Sequence, residues 1–480
     1  MNRPILAATL GALTLSALAL SGCATAIPQA IGPAAPPPSF TGPQTGTTTA
    51  WPDAGWWKGF GDAQLSTLID QAQAGNRDVA TAAARVLQAK AQARIQGAAL
   101  FPQASGGAGY AGGGCSGLAC QQYTTAKAFS LTFNASYELD VWGLARDSLR
   151  SAQEQLKVSR FSQAAVALAV SANTADQYFN VLATRRRIAI AHDNIAAIDS
   201  ILQVIQLRVK AGATSHLDLA REQAQLEAVQ AQLPSLETAE KESLYALAVL
   251  LGRPPEGFDV AGQDLDALTP PPLAPDMPAS LLLRRPDVAQ AEAQLASAHA
   301  DLDAARAAFL PQVSLTGSGG FLSAALGALL QGPNGGYSYG ASLLQTLFDG
   351  GRLSGQKDLA AGAQQAAVAQ YQGAVLDAYA DVENALVEVA AADHAQAHLQ
   401  AEVDAAREAF EISQLQYRQG ATDLLTVLQA QQTLFSAEDQ LAQTRLAGCQ
   451  AAVHLYEALG GGWTEAAQDR TQFVAAATAK

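Results

Sequence analysis

Basic residues are scarce in this chain. Lysine and arginine number 29 against 43 aspartates and glutamates, which gives a formal net charge of −14. No basic stripe is therefore available to neutralise the phosphates of a nucleic acid. Aromatic residues are also few, at 6% of the chain, although 49% of the residues are hydrophobic. Alanine and leucine supply the remaining apolar content, a mix that favours long packed helices over the core of a compact enzyme.

Glycine and proline are missing from a long central stretch. Residues 144–211, 68 in all, contain neither. At about 1.5 Å per residue, an unbroken helix of this length is on the order of 100 Å long. A second stretch, Arg352–Gln419, is interrupted only by Gly355, Gly362 and Gly373. Both stretches predict very long helices.

Long apolar runs are equally rare. Outside the N-terminal segment, no run approaches the roughly 20 apolar residues that a membrane-spanning helix needs. If the chain crosses a membrane, we expect it to cross with β-strands.

The N-terminal segment is the exception. Arg3 precedes the apolar run 5–20, which ends in Leu-Ser-Gly directly before Cys23. A short apolar region closed by small residues is typical of a secretory signal peptide. The cysteine at this place resembles a bacterial lipobox, which implies cleavage before Cys23, its acylation and, with Ala24 next, the outer membrane. The alternative is a chance cysteine in an ordinary signal peptide.

Only three further cysteines occur. Cys115 and Cys120 lie close together in a Gly/Ser-rich loop, and outside the cytoplasm they can form a disulfide. Two unpaired loop thiols are the alternative. Cys449 stands alone in a helical pattern and is expected to be a small buried apolar residue.

Two stretches of the chain repeat one another. Tyr417–Leu434 reads YRQGATDLLTVLQAQQTL, and Leu207–Leu226 reads LRVKAGATSHLDLAREQAQL. Each predicts a helix, a glycine turn and a returning helix, with Thr422 or Asp423 as the cap of the second return helix. A shift of 208 positions superposes Gly212 on Gly420, Ala213 on Ala421, Thr214 on Thr422 and Leu217 on Leu425. Because further matches extend over most of the chain, it is a tandem duplication.

The duplication divides the chain into six segments. We expect a signal peptide at 1–22, a lipidated flexible tether rich in Pro, Gly and Thr at 23–50, a first repeat at 51–252, a Pro-rich equatorial linker at 253–278, a second repeat at 279–460 and a C-terminal tail at 461–480. Each repeat comprises a helix, a β-hairpin and long helices, with the hairpins at about 103–141 and 311–349.

The hairpins are indicated by a change of period. From Phe129 to Val141, apolar residues alternate with polar ones, and the segment 312–321 repeats the pattern. Tyr337–Leu347 is the predicted return strand. Segments apolar on one face and polar on the other suit a barrel with lipid outside and water inside. A soluble sandwich is the alternative, but four strands among long helices leave its edges bare.

Four strands cannot close a barrel, since the smallest transmembrane barrels use eight. The chain must therefore oligomerise, and helices continuous with the strands would extend the same ring as a tube. The physical inference is a mainly α protein with transmembrane β-strands that forms a channel with a helical extension. The alternatives are a coiled-coil envelope lipoprotein that transports nothing and a periplasmic enzyme.

Two motifs suggest other chemistry. Gly107, Gly109 and Gly112 match a dinucleotide fingerprint by letter, but no helix or acidic partner follows. His394 and His398 have the spacing of a metal-binding pair on an alanine-rich helix, where two histidines are more often solvated polar residues. We therefore expect no metal, no cofactor and no catalysis.

Three segments resemble the TolC-like outer-membrane factors. They are SYELDVWG (Ser136–Gly143), LLRRPDVAQAEAQLASAHADLDAARAAFLPQVSLTG (Leu282–Gly317) and YRQGATDLLTVLQAQQTLF (Tyr417–Phe435). With the lipobox, the chain is similar to the NodT/OprM-type efflux lipoproteins over nearly its whole mature length. The resemblance implies a homotrimer with a twelve-stranded barrel, a periplasmic helical barrel and an equatorial domain. Its implied partners are outer-membrane lipid, a periplasmic adaptor and an inner-membrane pump, commonly of the resistance-nodulation-division type, which supplies the energy.

The resemblance also assigns roles at the two helix turns. The turns form the periplasmic tip, where the adaptor docks on Gly212, Ala213, Thr214, Leu217, Gly420, Ala421 and Leu425. In the family a tyrosine before the second turn bonds an aspartate after the first, and Tyr417 and Asp218 occupy these positions. The remaining implied gate residues are Thr422, Asp423, Thr426 and Gln429. Here the chain departs from the family, because threonine and glutamine replace the acidic ring and the arginine expected at the constriction.

The implied function is a passive exit duct for small molecules such as drugs or toxic compounds. Heavy-metal efflux and type I protein secretion use the same fold and remain alternatives.

Overall fold

The structure is a computed structural model that describes residues 39–43, 51–114, 125–261, 264–271, 281 and 284–464. The first repeat contains α1 (Ala63–Gly75), α2 (Arg77–Ala98), β1 (Gln103–Gly114), β2 (Thr125–Leu139), α3 (Leu144–Lys210) and α4 (His216–Leu250). The second contains α5 (Pro286–Ala307), β3 (Gln312–Ser323), β4 (Gly335–Leu344), α6 (Arg352–Gln419) and α7 (Leu424–Ala458). The element order after α1 is therefore the same in both repeats, as the duplication predicts.

The local geometry of the repeats agrees residue by residue. Gly143 and Gly351, 208 positions apart, precede the two long helices with the same φ of 91° and ψ of 8°. In front of each glycine an aspartate, Asp140 or Asp349, accepts hydrogen bonds from the first turn of its helix. Both helices thus start with the same turn chemistry, and they run 67 and 68 residues.

The four strands form one antiparallel sheet in the order β1-β2-β3-β4. The central pair joins the two repeats, with Phe133 opposite Gly319 and Tyr137 opposite Leu315. The predicted return strand 337–347 is shifted, since β4 spans Gly335–Leu344 and its register places Gly335 opposite Phe321.

The main core lies where the middle of the long helices meets the short ones. Trp56, Leu65 and Phe179 are buried there together with Val382 and Tyr456. The Tyr178 hydroxyl donates to Asp62 at 2.6 Å and ties α3 to the start of α1. Residues of the linker also pack here, because Arg185 of α3 donates to the carbonyl of Val260.

The expectation about apolar runs needs a correction. Within the described residues, α3 is long and apolar enough to cross a membrane by length and composition. Its apolar side chains Val170, Ala175, Phe179 and Leu182 belong to the main core. Packing in the core therefore accounts for part of the apolar character of this helix, since 33% of its most apolar 18-residue window is buried.

The cysteines divide between described and undescribed parts. Cys449 is buried as predicted, and burial raises the pKa of its thiol to about 12. Cys23, Cys115 and Cys120 lie outside the described residues, so their lipidation and pairing stay predictions.

Candidate functional site

The sheet has one apolar and one polar face. The register places Phe133, Leu315 and Tyr339 on one face, and Thr132, Ser314 and Ser338 on the other. On the polar face Ser314 pairs with Ser342 at 2.7 Å, and Ser318 pairs with Ser338 at 2.8 Å.

On the apolar face Tyr337 and Tyr339 are 84% and 86% exposed. Such an apolar surface needs lipid or another chain against it, whereas the serines and threonines behind it suit water.

The two outer strands of the sheet, β1 and β4, have one free edge each. Within the described residues, β1 pairs only with β2, and β4 pairs only with β3. Their outer N–H and C=O groups require partners in a membrane, where water is absent. The sheet is thus incomplete as a single chain.

At the far end of the long helices lie two turns of the same kind. Gly212 and Gly420 adopt left-handed backbone angles, with φ of 69° and 78°. The Ala213 N–H donates to the Arg208 carbonyl, and the Ala421 N–H donates to that of Gln416, both at 2.8 Å. This is the Schellman arrangement, in which a glycine without a Cβ reverses the chain at no steric cost.

The predicted hydrogen bond between Tyr417 and Asp218 is not made in this structure. The Asp218 carboxylate accepts from the Thr214 hydroxyl at 2.7 Å and from the Ser215 hydroxyl at 3.1 Å. It also completes a capping box with Ser215. The hydrogen bonds from Thr214 first, and then Ser215, hold the pKa of Asp218 below its usual value. Local turn chemistry therefore outcompetes the longer-range bond.

Tyr417 packs into a small apolar cluster behind the turns. Ile201, Ile205, Leu424 and Val427 surround it, and its hydroxyl is buried without a hydrogen-bond partner. Burial raises the pKa of the phenol, and the cation of Arg208 opposes that shift.

Arg208 of α3 also donates to the carbonyls of Tyr417 and Arg418 at 2.7 and 3.0 Å. It therefore binds the carbonyl end of α6, where helix dipoles favour cations.

The other predicted gate residues lie on the surface of the second turn. Asp423 caps α7 by accepting from the Thr426 N–H at 2.9 Å and from its hydroxyl at 2.7 Å. Of the two candidate caps, Asp423 is thus the one used. Asp423, Thr426 and Gln429 are exposed and Thr422 is partly exposed, so all four can face a neighbouring subunit.

The predicted docking residues form two equivalent surfaces. Gly212, Ala213, Gly420 and Ala421 are exposed, and Thr214 is partly exposed. Four leucines follow the 208-residue shift and are exposed in both copies: Leu207 (67%) with Leu415 (57%), and Leu217 (58%) with Leu425 (47%). The duplication has therefore placed the same apolar surface beside each turn.

Two residues of this tip escaped the sequence reasoning. Arg208 was one of several basic residues in the helix, although a cation in the last turn before a glycine is a recognisable signal. Glu222 is fully buried, with both carboxylate oxygens unpartnered. Its place between Leu219 and Leu226, in the leucine pattern of α4, is the sequence signal that indicates a buried acid.

The other suggested sites find no support. Gly107, Gly109 and Gly112 lie inside β1, without the helix that a dinucleotide fold requires. His394 and His398 are exposed, and among the described residues no group of three or more potential ligands forms a metal site.

An amphipathic sheet with free edges, joined to helical hairpins of this length, defines the subunit of an outer-membrane channel with a helical extension. The family model described as "Outer membrane efflux protein" matches residues 68–253 and 277–461. The chain belongs to this family, which confirms the resemblance, the mainly α fold with transmembrane strands, the location in the outer membrane and the function as an efflux channel.

Individual relatives agree. The chain is 39% identical to the pyoverdine export outer membrane protein OpmQ of Pseudomonas aeruginosa, over 85% of this chain and 87% of that protein. It is 30% identical to the cation efflux system protein CusC of Escherichia coli K12, over 93% and 98% of the two chains.

Solved structures show the same architecture. The outer-membrane channel OprN superposes with a TM-score of 0.83 at 28% identity, covering 90% of this chain and 99% of that one. The open state of the MtrE outer membrane channel of Neisseria gonorrhoeae gives 0.82 at 29% identity, over 91% and 98% of the two chains.

Proposed function

We propose that three copies of the chain close a twelve-stranded barrel that continues into a helical tube. The observation that carries the proposal is the four-stranded amphipathic sheet with free edges at β1 and β4. Edge strands of neighbouring copies satisfy each other's backbone groups, and the polar faces then line a wet lumen. In detergent, mass measurement should give a trimer, and bilayers should show conductance. A water-soluble monomer would refute the proposal.

A lipid on Cys23 anchors the channel in the membrane, and the tether 23–50 connects this anchor to the rest of the protein. Removal of residues 1–22 lowers the mass of the chain, and acylation then adds the mass of the lipid to the fragment that starts at Cys23, a pattern that intact-mass spectrometry detects. Cys23→Ser should abolish labelling with radioactive palmitate. Because the barrel itself spans the membrane, the unlipidated variant should still form trimers.

A periplasmic adaptor docks at the two turns, and an inner-membrane pump of the resistance-nodulation-division type supplies the energy. The support is the pair of equivalent apolar surfaces around Leu217 and Leu425. Ala213→Glu with Ala421→Glu should block adaptor binding while trimers still assemble, since both side chains are exposed. Gln230→Glu, which adds a charge at an exposed position of α4 away from the turns, is the control. Loss of trimers would mean that the turns are structural.

The tip forms a gate made by Asp218, Tyr417, Thr422, Asp423, Thr426 and Gln429. The assignment is supported by the position of the exposed members Asp423, Thr426 and Gln429, which lie at the second turn. Asp423→Cys on neighbouring copies should cross-link under mild oxidation and lower conductance, with recovery on reduction. Unchanged conductance in cross-linked trimers would place the gate elsewhere.

The cargo is a small organic molecule, and the duct itself performs no catalysis. Relatives named for pyoverdine export are 36–39% identical, whereas those named for cation efflux are about 30% identical. Deletion of the gene should therefore raise sensitivity to organic toxicants or trap a secreted organic compound in the cell. Sensitivity to copper or silver alone would instead favour cation efflux.

A further inference from the structure

Glu222 stands where a coiled-coil seam requires an apolar side chain. Leu219, Glu222, Leu226, Val229 and Leu233 follow one another at steps of 3, 4, 3 and 4 along α4. Leu219 packs on the tip cluster around Tyr417, and Leu226, Val229 and Leu233 belong to the next cluster, which contains Ile198. Glu222 therefore lies between two apolar clusters on the same helix face.

The carboxyl at this position is completely enclosed. Its relative exposure is 0%, and neither oxygen has a hydrogen-bond partner. The Tyr417 hydroxyl, in the neighbouring cluster, is also buried without a partner. An ionised carboxylate without partners is very costly in such surroundings, so the packing seen here requires the neutral acid.

The second copy has a different residue at the position equivalent to Glu222. A shift of 208 positions maps the five residues onto Val427, Ala430, Leu434, Ala437 and Leu441, so that alanine replaces Glu222. The acid is therefore a feature of one repeat only; in the second repeat Ala430 is partly exposed, and the buried polar residue is the neighbouring Gln431, which donates to Asn194 at 3.0 Å.

No neighbouring charge relieves Glu222. Helix α7 carries no ionisable side chain between Leu424 and Thr433, and α3 contributes only Arg208 between Ile201 and Val209. Arg208 is engaged with the Tyr417 and Arg418 carbonyls.

The two remaining helices add little. On α6 the ionisable groups near the cluster are Tyr417 and the exposed Glu411 and Arg418, and α4 itself adds Asp218 and Arg221. Burial is the cause that raises the pKa of Glu222, from 4.5 to about 7.

We propose that Glu222 controls the packing of the tip through its proton: when the carboxyl loses its proton, the seam of α4 unpacks. The conformation of the tip is thereby coupled to the pH of the surrounding compartment. This regulation rests on the proposed function as a duct whose tip opens. The direction of the pH dependence follows from the pKa of Glu222 in the packed and unpacked states. Because the pKa is higher in the packed state, the protonated acid favours packing fully at pH values below about 4.5. That advantage is lost as the pH rises to about 7 and stays lost above it.

The size of the effect follows from the same linkage. On unpacking, the pKa of the carboxyl returns from about 7 to 4.5. A rise in pH from 5 to 8 therefore increases the unpacking equilibrium constant on the order of 70-fold. Hydrogen exchange of the tip segments 198–233 and 410–434 measures this constant. Dividing the wild-type rate by that of Glu222→Gln at the same pH removes the chemical pH dependence of exchange.

We expect this ratio to rise on the order of 70-fold in the tip and to stay flat in α1. Glu222→Ala, which copies Ala430, should behave as Glu222→Gln does and provides the test if the glutamine variant fails to assemble. Glu227→Gln, an exposed glutamate on the same helix, should match the wild type. A ratio that does not change with pH would overturn the proposal.

Conductance separates this proposal from the channel function itself. If the wild type conducts and the pH dependence of its conductance is identical in Glu222→Ala, the proposed role of Glu222 is wrong, whereas the proposed channel function is retained. If no variant conducts at any pH, the proposed duct fails, whereas the exchange result still decides whether Glu222 loosens the tip.

Discussion

The guanidinium of Arg208 lies 4.5 Å from the centre of the Tyr417 ring and donates to the Tyr417 carbonyl at 2.7 Å. One side chain of the first repeat thus holds both the ring and the backbone at the end of the long helix of the second. Because the two turns are otherwise capped by their own residues, this contact is a direct polar link between the repeats at the tip.

Arg208→Ala should loosen the tip. The variant loses hydrogen bonds from a charged donor to two helix-end carbonyls, a loss of about 1.5–3 kcal/mol in the free energy that holds the repeats together. Hydrogen exchange at 410–420 should accelerate correspondingly. Arg221→Ala, an exposed arginine on α4, is the control and should change little. Equal protection in both variants would contradict the role of Arg208.

Tyr417→Phe should be nearly neutral. The hydroxyl that it removes is buried without a partner, so its loss removes a desolvated group and no hydrogen bond. Thermal unfolding should match that of the wild type within error, and any change in conductance would therefore report on the proposed gate. A clear loss of stability would mean that the hydroxyl bonds a neighbouring subunit in the trimer.

Asp218→Ala should act locally on the first turn. It removes the capping box with Ser215 and the bond from Thr214, which costs about 1 kcal/mol of helix stability. Asp218→Asn keeps an acceptor oxygen and should retain most of the helix stability that the cap supplies. If the alanine variant fully opens the channel while exchange at 211–220 is unchanged, Asp218 acts across the tip and not within its turn.

The two faces of β4 should respond differently to charge. Tyr339→Arg places a cation on the apolar face, where lipid contact costs about 2–4 kcal/mol at mid-membrane depth. Ser338→Arg, one residue away, places it on the polar face. Heat-resistant trimers on gels should decrease only for the first variant, and conductance or ion selectivity should change for the second. The reverse result would mean that the Ser338 face contacts lipid and the Tyr339 face lines the lumen.

Arg285 should be essential for the middle of the molecule. Its side chain is 10% exposed and bridges Asp287 at 2.6 Å, Asp381 at 2.8 Å and the Ala458 carbonyl at 3.1 Å. The two aspartate side chains are 44% and 51% exposed, so water stabilises them when the arginine is lost, and the cost is that of hydrogen bonds to charged groups, about 1.5–3 kcal/mol. Arg285→Met should therefore lower the unfolding temperature strongly, whereas Arg306→Ala, at an exposed ion pair, should lower it little. Similar shifts for both would contradict this ranking.

Much of this protein was determined by its sequence alone. The absence of glycine and proline from 144–211 fixed a long helix, and the ends found for it agree to within one residue. Period-two alternation fixed the faces of the strands, and the 208-residue repeat fixed two equivalent turns at Gly212 and Gly420. Local backbone preferences and side-chain periodicity act within short stretches, so they are visible in the letters.

Other features were decided only by the tertiary structure. Asp218 had two possible partners, and the nearby Thr214 and Ser215 prevailed over Tyr417 because they need no long-range ordering. The burial of Glu222 depends on the packing of α4 against its neighbours, and the role of Arg208 depends on the approach of α6. Contacts of this kind join residues about 200 positions apart, and only the packing of the two repeats brings them within reach.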